Sequence, residues 1–175
     1  ACTDAWGRIA RDVLESTRAE VGELREPASD GRGGSSTLPG KRNPVLSVLI
    51  RRAALAAPPL NATLHLAAAE ATEERSDGAW HAEWDTLRTL GRRAVVAGSQ
   101  TAELLAGLEV DSEAMTRNLA RYRAASGGLD PEQRAKAAVT GADPAETYTG
   151  ATDLIIDATL ERAAAFKQRR EQGTR

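Results

Sequence analysis

Between Gly34 and Pro44 the chain reads Gly34-Ser35-Ser36-Thr37-Leu38-Pro39-Gly40-Lys41-Arg42-Asn43-Pro44. Serines placed directly after two glycines can turn their backbone N–H groups into one concavity, and such a nest binds anions and oxyanions. Lys41 and Asn43, two residues apart, offer a cation and an amide donor for a carboxylate. Pro44 stands before a long apolar run that reads as a helix, whose N-terminus would add positive potential at the same place. Together these pieces suit the grip of a polyanionic acid and the stabilisation of an enolate-like intermediate. The plain alternative is a Gly/Ser linker, which has little use for a Lys-x-Asn-Pro run.

Other residue types with chemical potential are few. His81 lies between Trp80 and Trp84. It could move a proton, or it could be a packed histidine hydrogen-bonded between two aromatic anchors. His65 sits on an Ala/Leu face and reads as structural. Arg75 follows Glu73 and Glu74 and could bind an anion or pair with either acid. No His, Cys or carboxylate cluster has metal-ligand spacing, so no metal is expected. Cys2 is the single cysteine, which rules out a disulfide framework and fits a reducing cytoplasm. The formal net charge is −2 with acids and bases interspersed, against the basic stripe of a nucleic-acid binder. The tail around Lys167, Arg169 and Arg170 reads as a solvated helix end. No apolar run approaches the ~20 residues of a membrane span.

The elements that must carry these residues are helical. Alanine and leucine dominate and aromatics make up only 3%, a composition that favours helix over strand. Trp6, Ile9, Val13 and Leu14 recur at helical spacing, which predicts a helix over 4–24. It has no cap before it, as if the chain began inside a longer one. Residues 25–44 concentrate glycine and proline, an unusually long loop of the kind that carries function or stays disordered. A long helix is predicted over 45–71, kinked or interrupted at Pro58 and Pro59. An irregular polar stretch over 73–84 and a third long helix over 85–106 follow. Asp111 caps a short helix through Tyr122. Asp130-Pro131 and Asp143-Pro144 start two more, and a last helix covers 151–167. The class is all-α, and long helices without a full core of their own need partners, as in a bundle shared between copies.

The loop string resembles Gly-Ser-Ser-x-Met-Pro-x-Lys-x-Asn-Pro, the signature of the fumarase/aspartase superfamily, with Leu38 in place of Met, a volume-conserving change. Trp80-His81-Ala82-Glu83-Trp84 after Glu74-Arg75-Ser76 resembles the corresponding stretch of the 3-carboxy-cis,cis-muconate cycloisomerase branch, as do Glu20 to Glu23, Asp143-Pro144 and Tyr148-Thr149-Gly150. Most superfamily members carry Glu seven residues after the signature Lys. Val48 stands there, which again resembles that branch. The stretch from about 120 to 141 is shorter than the family's.

The resemblance implies a long-helix bundle, with residues 1–108 belonging to the central helical domain, signature loop 30–44 included, and 109–175 to a small C-terminal helical domain. It implies interconversion of 3-carboxy-cis,cis-muconate and carboxymuconolactone in protocatechuate catabolism, without a cofactor. Ser35 would be the general base or acid and Ser36 a donor. Thr37, Lys41, Asn43 and Arg75 would bind the tricarboxylate, and His81 is the remaining candidate. The family assembles each site from three subunits of a homotetramer. Two rivals stay open. One is another superfamily lyase performing an adenylosuccinate lyase-like β-elimination. The other is a catalytically incomplete chain acting as a helical scaffold.

Overall fold

A computed structural model describes residues 2–35, 37, 38, 41–72, 77–125, 131–141 and 150–173. Among the described residues six helices carry nearly all of the regular structure: α1 (Cys2–Ser16), α2 (Val45–Ala69), α3 (Gly78–Ala106), α4 (Ser112–Ala125), α5 (Pro131–Thr140) and α6 (Thr152–Gly173). Two short strands, β1 (Leu24–Arg25) and β2 (Glu109–Val110), pair antiparallel with Leu24 opposite Val110. The expectation of an all-α chain holds, these four strand residues aside.

The chain divides into two compact units, 1–118 and 119–175. In the first, α2 and α3 lie side by side and antiparallel. The N-terminal part of α2 (Leu49, Ala53) faces the C-terminal half of α3 (Val96, Ala97), and Leu66 and Ala67 face Ala79 and Ala82. Helix α1 packs on both. Its buried Ala10 and Val13 meet Leu46, Ile50 and Leu104, with Trp6, Leu24 and Leu108 closing the cluster. Small residues allow the close approach: a Cβ built on Gly7 would stand 2.5 Å from the Ala54 Cβ, and Trp6 lies against Gly98. The core is therefore narrow. Its largest fully buried apolar side chains are Ile50 and Leu104.

Several local expectations are corrected. The first helix ends at Ser16 rather than 24. Thr17 donates its hydroxyl to the Leu14 carbonyl, and Gly22 takes a left-handed φ of +65°, so the chain turns and delivers Leu24 to its strand partner. Helix α2 runs unbroken through Pro58 and Pro59. Tertiary packing on either side of the prolines overrides the lost backbone donors. Helix α3 starts at Gly78, so Trp80 to Trp84 are helical rather than irregular. Their exposure erased the apolar stripe that would have announced the helix.

Other boundaries stand. The Asp111 carboxylate accepts from the Ala114 N–H at 2.8 Å and caps α4. Asn118 on α4 donates to the Val21 carbonyl and to Glu23 Oε1. The second unit contains α5, beginning at Pro131, and the exposed helix α6. The helix start read at Asp143-Pro144 lies outside the described residues, as do Asp130, Tyr148 and Thr149. Among the described residues no helix is long and apolar enough to cross a membrane.

Candidate active site

The loop between β1 and α2 is closed at its neck. The Asn43 N–H donates to the Gly33 carbonyl at 2.7 Å. Gly33 has φ +75°, and a Cβ there would come 2.8 Å from the Asn43 carbonyl oxygen. Two ion pairs hold the stems: Arg32 Nη1 to Glu103 Oε1 of α3 at 2.6 Å, and Arg42 Nη1 to Glu109 Oε1 of β2 at 3.1 Å. Gly33→Ala combines left-handed strain with a backbone clash, so it should cost about 1–3 kcal/mol. It should also open the neck, which hydrogen exchange at the Asn43 amide would report. Unchanged exchange there would refute the pinned-neck description.

A small cavity of about 140 Å³ lies behind the neck, lined by Glu26, Arg32, Gly33, Gly34, Arg42 and Asn43 among others. At its base Glu26, only 7% exposed, accepts from the Leu46 N–H (2.9 Å) and the Ser47 N–H (2.7 Å). These are donors of the first turn of α2, and Pro44 before them supplies no side-chain cap. The helix end expected to face a substrate anion is thus occupied by the chain's own carboxylate, whose charge offsets the dipole there. This corrects the sequence reading, which gave that potential to the ligand. Ser47 Oγ is buried beside the cap without a hydrogen-bond partner. Ser47→Ala should therefore leave Tm unchanged or raise it, as a thermal melt would show.

On the loop tip Ser35 Oγ accepts from the Leu38 N–H (3.1 Å) and, more weakly, from the Thr37 N–H (3.4 Å). Amide donors aimed at a hydroxyl oxygen favour the charge it acquires on losing its proton. Positive charge near the tip comes from side chains. Arg32 and Arg42 are already paired, whereas the Lys41 ammonium is exposed and makes no ion pair among the described residues. Arg42 pairs with Glu109 rather than standing free in solvent. Ser36 and Arg75 lie outside the described residues.

His81 is elsewhere. It is exposed on the first turns of α3, its Nδ1 3.3 Å from the Asp77 carbonyl and its ring tilted on Trp84 at 5.3 Å. Trp80 and Trp84 form an edge-on pair at 5.1 Å, each about half exposed, so they do not sandwich the imidazole. From His81 to Leu104, beside the loop, α3 rises about 35 Å. Within one copy His81 and Ser35 cannot share a substrate. Among the described residues no group of three or more His, Cys, Asp or Glu could hold a metal ion.

Sequence reasoning missed Glu26, Arg32 and Glu103. Their partners lie 20 to 71 residues away, and no local pattern marks such pairs.

Two antiparallel helices, α2 and α3, with a neck-closed loop feeding α2, define a long-helix domain. Over about two thirds of its own length the chain is similar to 3-carboxy-cis,cis-muconate cycloisomerases and to fumarate lyases. It is 54% identical over 115 residues to nitrosuccinate lyase of Streptomyces davaonensis, covering 66% of this chain and 24% of the relative. It is 51% identical over 113 residues to 3-carboxy-cis,cis-muconate cycloisomerase of Pseudomonas aeruginosa, covering 65% and 24%. The solved 3-carboxy-cis,cis-muconate lactonizing enzyme from Pseudomonas putida superposes with TM-score 0.60 at 36% identity, covering 67% of this chain and 24% of that one. No family model matches. The chain thus spans about a quarter of the length of these relatives.

Proposed function

We propose that the chain contributes the Gly-Ser-Ser loop to an enzyme that interconverts 3-carboxy-cis,cis-muconate and carboxymuconolactone in protocatechuate catabolism. The observation that carries this reading is Ser35 Oγ receiving two backbone N–H donors on a loop tip that also presents Lys41. In the lactonising direction a carboxylate oxygen adds across a double bond while Ser35 delivers a proton to the neighbouring carbon. In the reverse direction Ser35 removes the proton α to a carboxylate. Ser36, Thr37, Lys41 and Asn43 bind carboxylates of the dianionic intermediate, and Arg75 supplies a further cation. No cofactor takes part, and a cytoplasmic location goes with this catabolic role. Residues 1–108 form part of the central bundle and 109–175 a small C-terminal domain.

A second reading, β-elimination from a succinate-type substrate, is favoured by the nitrosuccinate lyase match and by N-acetyl-S-(2-succino)cysteine lyase of Dickeya dadantii at 32% identity. It uses the same serine and the same aci-carboxylate. A turnover panel of carboxymuconate, nitrosuccinate and succinyl adducts decides between them. Consumption of carboxymuconate alone supports the first reading, and its inertness beside an active succinyl substrate overturns it. The panel is run on this chain alone and again with the remaining length of such an enzyme. Activity only in the second case would mean that the site is completed by other segments. Turnover in neither case would leave the scaffold reading standing.

The helices also suggest the assembly. Val48, Leu55, Leu66, Val95 and Leu105 on α2 and α3 are all at least half exposed, more apolar surface than a narrow core leaves comfortably in water. A homotetramer with shared sites would cover it. Sedimentation should show an assembly of several copies at micromolar concentration, and a compact stable monomer would refute it.

A further inference from the structure

We propose a second anion site, in the groove between α2 and α3, for a small molecule carrying several carboxylates or phosphates. The groove has a volume of about 390 Å³, the size of a small-ligand cleft. Its floor is Ala53 and Ala97, 7% and 1% exposed, and Leu49 and Val96 form its walls. Its rim is Arg52, Arg92, Arg93 and Gln100. No acidic side chain lines it, and none of the three arginines has an ion pair or hydrogen bond among the described residues.

The sequence explains why. Helix α2 contains no Asp or Glu over its whole length, and neither does α3 from Thr86 to Ala102, while Arg51, Arg52, Arg88, Arg92 and Arg93 fall within these spans. The chain as a whole is slightly acidic, so this is local segregation of charge rather than a basic protein. Antiparallel packing then brings arginines from two helices onto one groove. Three guanidinia gathered without a counter-charge repel one another, and their planar forks match carboxylate and phosphate oxygens two at a time. The apolar floor lowers the local dielectric and strengthens that attraction. The groove shares no lining residue with the loop cavity, so the site does not depend on the reaction proposed above.

Citrate and pyrophosphate are the probes, titrated calorimetrically into the chain carrying Lys41→Ala, which separates this groove from the loop. Both should bind at low ionic strength and weaken as salt screens the arginines. Arg52→Gln, Arg92→Gln and Arg93→Gln should each weaken binding about tenfold, the loss of one charge-assisted contact. The triple variant should abolish it, with helix content by circular dichroism unchanged because all three side chains are exposed. Binding that survives in the triple variant, or is absent in the parent, overturns the proposal. So does a chain that binds neither probe and dissociates into monomers when the arginines are replaced, since carboxylates of a second copy would then be their partners.

Discussion

Ser35→Ala, introduced into the complete active site, is expected to lower kcat at least ~100-fold with little change in KM. The factor is the lower end of what general acid–base catalysis supplies. The serine is expected to act on the proton alone, while the substrate is held by carboxylate-binding side chains. Lys41→Ala should behave differently. Lys41 presents an exposed ammonium that no carboxylate of the loop claims. It would attract ground state and transition state alike, so its loss should raise KM and lower kcat less. The contrast between the two variants is the test, because a merely misfolded loop would damage both parameters in both. Near-normal kcat in a folded Ser35→Ala protein would remove the serine from the mechanism. Ser36 would then be the next residue to examine, since His81 could act only across a subunit boundary.

The second large effect is on stability. Glu26→Ala leaves two amide donors at the start of α2 without partners in a buried place. At about 1–3 kcal/mol per orphaned buried group, the loss should be roughly 2–5 kcal/mol. It should appear as a lower denaturant midpoint at unchanged slope. Glu26→Gln keeps one acceptor but turns an NH2 toward the second amide, so it should fall between wild type and alanine. A Glu26→Ala protein with the wild-type midpoint would show that water can replace the carboxylate.

What the sequence could tell followed from locality. The start of α2 at Val45 and the Asp111 cap are written in consecutive residues, and each is found where it was read. The early end of α1 was hidden because Val21 and Leu24 extend the apolar spacing past Gly22, although that glycine turns the chain. The start of α3 was hidden because its first turns bury almost nothing. Strands of two residues are too short to show a period. Within the candidate site, the side chains that hold the loop were not visible in the sequence. Glu26 reaches α2 from 20 residues away and Arg32 reaches α3 from 71. The arginine groove had a visible trace, the absence of acids from α2 and from the middle of α3, but only side-by-side packing turns two unremarkable stretches into one surface.

The closed neck at Gly33 and Asn43 has a consequence for how such a chain can drift over generations. Because the Asn43 N–H is bonded to the Gly33 carbonyl, the covalent path between these two residues is a ring closed at a fixed point rather than a tether between two elements. A residue added to or lost from the tip changes the circumference of that ring and leaves the register of α2 alone, since lengthening a loop carries only a small entropic penalty. The tip can therefore change in length while the helices beneath it keep their sequence.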